Sequence, residues 1–173
     1  KMKLLKYVHS EIDILKSIKH PNVLQYIGIC FLPKENSLYI VTEYLNGGDL
    51  RDFIIKESTK VTDGVGNIDW ILRTKIVMDI GNAIYYLHSH NLMHRDIKTD
   101  NVILSSDQRF VLCDFGFATF VDKAKRRKTL TSAEVERRPQ RTMSFCGTDE
   151  FMSPEQMFGI RYGFPSDVFS YGI

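Results

Sequence analysis

"HRDIKTDN", residues 94–101, crowds an Arg, two Asp, a Lys and an Asn into eight positions that follow directly on a run of apolar, helical-looking sequence. It is bracketed by "YYLHSHNLM" (85–93) and "VIL" (102–104), so its charges lie close to a core. Charge in such a place is costly unless it is paired. These residues need a purpose, and the rest of the chain must supply it.

Working outward, the helical run is clearest from Ile71 to His90, where Leu72, Ile76, Ile80, Ala83, Ile84 and Leu87 form one inward stripe. Downstream come two short strand-like segments, "NVIL" (101–104) and "FVLCD" (110–114), then a long polar stretch, then "MSPEQM" (152–157) and "DVFSYGI" (167–173). Upstream, apolar residues at Leu4, Val8, Ile12, Leu15 and Ile18 predict a helix ending near "KHPN" (19–22). Two strands are expected after it, "VLQYIGICFL" (23–32) and "SLYIVTEYL" (37–45), joined by the turn-forming "PKEN" (33–36). The order is α+β in front and mostly helical behind.

Composition narrows the class. The chain has 173 residues, 43% hydrophobic and 25% charged, with a formal net charge of +2. That is about one globular domain, and the charge alone does not point to nucleic acid. No run approaches the ~18 apolar residues of a membrane span. Cys30, Cys113 and Cys146 are odd in number, far apart and without C-x-x-C spacing. Neither a disulfide framework nor a zinc site is favoured, and reduced thiols inside a cell are expected. "DGVGNID" (63–69) begins like a dinucleotide fingerprint but has Asp69 at its sixth position and no strand just before it, so Gly64 and Gly66 read as loop residues.

The partner of the opening stretch is "CDFGFA" (113–118), which places Asp114 eighteen positions after Asp96. Together they resemble the catalytic loop and metal loop of eukaryotic protein kinases, H-R-D-x-K-x-x-N and D-F-G. In order along the chain, "SEIDIL" resembles that family's regulatory helix, "TEYLNGGDL" its hinge, "GTDEFMSPE" its substrate loop and "DVFSYGI" its central large-lobe helix. The resemblance covers essentially the whole chain. It implies an α+β, bilobal kinase-like fold that is incomplete, with a small lobe lacking the glycine-rich loop and lysine strand and a large lobe cut at the start of its central helix. Residues 1–45 would be the rest of the small lobe and the hinge, 46–173 the first part of the large lobe, and 114–155 the activation loop. Such a piece expressed alone is expected to be poorly stable and inactive.

The resemblance also implies roles. Asp96 would orient the acceptor hydroxyl and accept its proton, while Lys98 would reach the γ-phosphate and Asn101 with Asp114 would hold Mg²⁺. In the ATP site, Glu11 would pair with the phosphate-binding lysine, for which Lys1 and Lys3 lie too near in sequence. Thr42 would guard the back of the adenine pocket, Glu43 and Leu45 would offer hinge backbone groups, Asp49 would face the ribose, and Ile103 would form the floor. His94, Phe115, Leu15 and Tyr26 would stack as a regulatory column. Arg95 would receive a phosphorylated residue of the activation loop, expected at Thr142 or Ser144 within a basic insert carrying Lys123, Lys125, Arg126, Arg127, Lys128, Arg137, Arg138 and Arg141. Thr148 would contact Asp96 and Lys98.

Lys98 and the Gly147–Thr148 pair resemble serine/threonine rather than tyrosine kinases. "HPNVLQYIG" and "EYLNGGDLRDFI" look like the tyrosine-kinase-like group, near LIM kinases, although the catalytic-loop lysine departs from theirs. The expected function is an ATP- and Mg²⁺-dependent serine/threonine protein kinase acting on protein substrates, intracellular and cytoplasmic, with no nucleic acid and no membrane segment in this chain. A dual-specificity kinase and a pseudokinase-type scaffold are the alternatives. Intact Asp96, Asn101 and Asp114 argue against the scaffold.

Overall fold

A computed structural model describes residues 11–59, 68–121 and 147–173. Lys1, Lys3, Leu4, Val8, Gly64, Gly66 and the basic insert with Thr142 and Ser144 lie outside the described residues. The first described element, helix α1, occupies residues 11–17. Ile12, Leu15 and Ile18 are buried, as their spacing predicts, and Ile14 joins them.

Strands β1 (Tyr26–Leu32) and β2 (Ser37–Thr42) pair antiparallel, with Ile29 opposite Ile40 and Phe31 opposite Leu38. Both are shorter than the apolar runs suggest. Val23 bridges Leu112 in parallel instead, the Leu24 N–H donates to the Leu112 carbonyl at 2.9 Å, and the Leu112 N–H donates to the Asn22 carbonyl at 2.9 Å. At the other end Glu43 turns the chain: its N–H donates to the Gln25 carbonyl at 2.9 Å, and its carboxylate accepts the Gln25 N–H at 2.8 Å. Hydropathy reports burial but not the backbone partner, which is why it misplaced these ends.

Helix α2 (Leu50–Thr59) starts where the Asp49 carboxylate accepts the Asp52 N–H at 2.8 Å, an N-cap interaction. Helix α3 (Trp70–Ser89) buries Ile80, Ala83, Ile84 and Leu87, with Leu72 and Ile76 half-buried against the same core. Each Leu- or Ile-sized side chain so buried contributes ~1.5–3 kcal/mol. After α3, Asn91 takes a left-handed backbone (φ 60°) and the chain reverses into β3 (Leu92–Met93).

Two small antiparallel ladders then frame the loops that matter. β4 (Val102–Leu104) pairs with β5 (Phe110–Leu112), and β3 pairs with β6 (Thr119–Phe120). The hinge is strapped to β4 by the Gly47 N–H on the Leu104 carbonyl at 2.8 Å. A Cβ at position 47 would lie 2.4 Å from that oxygen, so only glycine fits.

Helix α4 (Pro154–Met157) opens with a Ser153–Gln156 capping box, and α5 (Phe164–Gly172) follows. The architecture is α+β, as expected. One hydrophobic core joins α1, α3, β4, β5 and Phe115. Among the described residues no helix is long and apolar enough to cross a membrane.

Candidate active site

The 94–101 loop enters from β3 and leaves into β4, so two ladders fix its ends. Asp96 is buried and its carboxylate accepts three donors: the Thr148 hydroxyl on Oδ1 at 3.0 Å, and on Oδ2 the Lys98 Nζ at 3.1 Å and the Asn101 Nδ2 at 2.9 Å. Lys98 Nζ also donates to the Thr148 hydroxyl at 2.7 Å. Acid, base and hydroxyl thus close a ring across fifty residues of sequence. The contacts expected of Thr148 are present.

Asn101 Nδ2 donates a second time, to the Asp96 backbone carbonyl at 2.9 Å. With its NH₂ group occupied, the amide presents its oxygen to the opposite side. The Asn101 carbonyl accepts both the N–H (2.9 Å) and the thiol (3.2 Å) of Cys113, which puts the following residue, Asp114, beside it. Burial, with help from Asp114 and Asp49, pushes the Cys113 thiol up to about 12, consistent with its role as donor. Asp114 is exposed, and its Oδ1 accepts the Gly116 N–H at 3.2 Å. Asn101 and Asp114 offer the hard oxygen donors that suit Mg²⁺, which usually takes one or two protein carboxylates and completes its shell with water and phosphate oxygens. Among the described residues no group of three or more His, Cys, Asp and Glu could hold a metal ion.

His94 is fully buried. Its Nδ1 accepts the Asp96 N–H at 3.3 Å and its Nε2 donates to the Cys113 carbonyl at 3.0 Å, a pattern that requires the neutral ring. Burial lowers its pKa, outweighing the opposing pull of Asp167 and the other nearby carboxylates. The ring meets Phe115 edge-on at 5.0 Å, and Phe115 shares the core with Leu15, against which Tyr26 packs. His20, whose pKa burial also lowers, accepts the Asn22 N–H on Nδ1 at 3.1 Å.

These two rings give a pH prediction. In the unfolded chain a histidine titrates near ~6.5. Because the folded pKa values are lowered, the unfolded state takes up protons first, and stability falls as pH drops below about 6.5 while staying flat above it. His94 alone sets a slope of up to ~1.4 kcal/mol per pH unit. Urea midpoints of the full-length protein from pH 8 to 5 measure this, and a flat profile through 6.5 to 5.5 would refute it.

Sequence reasoning missed Asp167. Its carboxylate is 1% exposed and holds the catalytic loop from below, accepting the Arg95 N–H at 2.8 Å on Oδ1, and the His94 N–H at 3.0 Å and His88 Nε2 at 2.8 Å on Oδ2. The "DVFSYGI" match contained it, but hydropathy would place it outside: on α5, Ser166 and Asp167 are buried while Val168 and Phe169 are exposed. Arg95, with left-handed φ 72°, donates from Nε to the Phe117 carbonyl at 2.5 Å and from Nη1 to the Tyr162 hydroxyl at 3.3 Å. Asp114 is left-handed too, with φ 61°.

The nucleotide residues fit less uniformly. Ile103 is partly exposed between buried Val102 and Leu104. Thr42 ends β2 and donates its hydroxyl to the Glu43 carbonyl at 3.2 Å. With the Glu43 N–H on Gln25 as well, both backbone groups of Glu43 have internal partners, which leaves Leu45 as the hinge position without a described one. Asp49 caps α2 through Oδ1, which accepts the Asp52 N–H. Glu11 is half-buried, and burial, followed by the charge of Asp114, raises its pKa.

Comparison with known proteins agrees with this geometry. Residues 1–173 match the protein kinase domain family. A RasGEF domain-containing serine/threonine-protein kinase X of Dictyostelium discoideum is 37% identical over 169 residues, covering 98% of this chain and 15% of that protein. A probable serine/threonine-protein kinase kinX of the same organism is 37% identical over 172 residues, 98% of this chain and 13% of its own length. A probable serine/threonine-protein kinase kinY is 34% identical over 187 residues, 100% of this chain and 29% of its own length. The chain thus spans less than a third of each of these relatives. Sequence match along all 173 residues, together with a catalytic loop clamped between Thr148 and Asp167, makes this chain a member of the protein kinase domain family.

Proposed function

We propose that the protein is a serine/threonine protein kinase that transfers the γ-phosphoryl group of Mg²⁺-ATP to hydroxyls of protein substrates. The observation that carries this reading is the closed ring of Asp96, Lys98 and Thr148, with Asn101 bonded to Asp96. Phosphoryl transfer needs little covalent chemistry from the protein and much positioning and charge neutralisation. Asp96, held by three donors, orients the acceptor hydroxyl and takes its proton. Lys98 presents a point charge where the transferred group passes. The Asn101 and Asp114 oxygens would hold Mg²⁺, which when bound would supply positive charge against the phosphates. Ile103 and the Leu45 backbone would receive the adenine.

Three finer readings accompany it. The hinge and "HPNVLQYIG" support placement in the tyrosine-kinase-like group, near LIM kinases, and the lysine at 98 separates it from their catalytic loop. Phosphorylation at Thr142 or Ser144, answered by Arg95, would regulate it. Its place of action would be the cytoplasm, a reading supported by the unpaired cysteine pattern. A scaffold role is the weaker alternative, since binding alone asks for no such arrangement around Asp96.

The test uses the full-length protein, radiolabelled ATP and a generic basic protein, followed by phosphoamino-acid analysis. Label on serine and threonine that disappears when EDTA removes the divalent metal is expected. Label confined to tyrosine, or none with Mg²⁺ present, would sink the proposal.

A further inference from the structure

Tyr162 lies between α4 and α5, buried, with its hydroxyl 3.3 Å from Arg95 Nη1. Nε of the same guanidinium donates to the Phe117 carbonyl, just past the Asp114–Gly116 turn. The Arg95 backbone is held from α5 as well, its N–H on Asp167. One short stretch of chain, 162–167, therefore grips Arg95 at both ends, and the next residue along is Asp96.

A guanidinium is a planar fork, so fixing two of its N–H directions fixes the plane. A tyrosine is a good fixture, because its ring has few rotamers and a buried hydroxyl requires a partner. With the plane fixed, the carbonyl of Phe117 and the backbone beside Asp96 are held at a set separation. That separation is the distance between the proton-accepting side of the site and its metal-binding side. We propose that Tyr162 is a positioning residue for phosphoryl transfer, acting through Arg95 to hold the catalytic loop and the metal loop in register. The proposal rests on the kinase reading above and adds to it a residue that touches neither nucleotide nor acceptor.

The experiment is a double-mutant cycle in the full-length protein, with Tyr162→Phe, Arg95→Ala and the pair, measured by steady-state kinetics with Mg²⁺-ATP and a generic basic protein. Tyr162→Phe removes a single oxygen. It should lower kcat about 5- to 10-fold, a loss typical of one coupled pair, and leave the KM for ATP within about twofold. In the Arg95→Ala background the same change should alter kcat less than about twofold, because the group it acts through is gone. A residue that serves stability alone would move the thermal midpoint in both backgrounds and kcat in neither. Should Arg95→Ala fail to fold, Arg95→Lys supplies the second background, since it keeps the charge and loses the fork. Equal losses in both backgrounds, or an unchanged kcat in Tyr162→Phe, would overturn the proposal while leaving the kinase reading intact. A wild-type protein with no phosphotransfer would overturn both.

Discussion

Asp96→Asn lowers kcat for phosphoryl transfer by roughly 10²–10⁴-fold, the range a positioned general base supplies. The carboxylate now accepts from Thr148, Lys98 and Asn101 together, using both oxygens. An amide offers one oxygen and turns two N–H donors toward a neighbourhood that is already rich in donors. Oxygen toward Lys98 loses the Thr148 contact, and oxygen toward Thr148 sets an NH₂ group against an ammonium. The proton acceptor and the alignment of the loop fail together. Because the Asn101 contact to the Asp96 backbone carbonyl survives, the metal-facing oxygen of Asn101 should stay in place and the KM for ATP should change little. Steady-state kinetics on the full-length protein decide it, and a variant retaining more than a third of wild-type kcat would remove Asp96 from the role of base.

Asp167→Ala should cost more in stability than any other single change in the site, roughly 3–5 kcal/mol, the range for deleting one member of a buried polar cluster. Two buried backbone N–H groups and the His88 ring lose their acceptor at once. Against total folding free energies of ~5–15 kcal/mol that is a large fraction. Asp167→Asn keeps one acceptor oxygen for the three donors and should fall between. Urea unfolding monitored by fluorescence measures both variants. Coincident midpoints for wild type and Asp167→Ala would show that the carboxylate is not what holds the loop.

The two residues also mark where sequence reading works and where it stops. Asp96, Asn101 and Asp114 stood out because charged and amide side chains beside apolar runs are rare enough to be noticed, and their spacing then pointed to the family. Helix α3 was legible from its period alone, with Ile80, Ala83, Ile84 and Leu87 buried as expected. Asp167 was not legible as a support, since its partners are backbone N–H groups more than seventy residues away and a backbone group has no sequence signature. The ends of β1 and β2 were misjudged for the same reason: Val23 and Leu24 are as apolar as strand residues should be, but they pair with Leu112 instead.

Arg95 and Asp114 both carry the left-handed backbone that side chains with a Cβ resist, at roughly 1–2 kcal/mol each. Each belongs to one of the two loops whose carboxylates must meet. The surrounding contacts, Asp167 on one loop and the Gly116 N–H on the other, keep that tension from relaxing. For the kinase proposed above, the unfavourable rotation would be completed once, as the chain folds, which would leave the energy of binding to act on the acceptor hydroxyl.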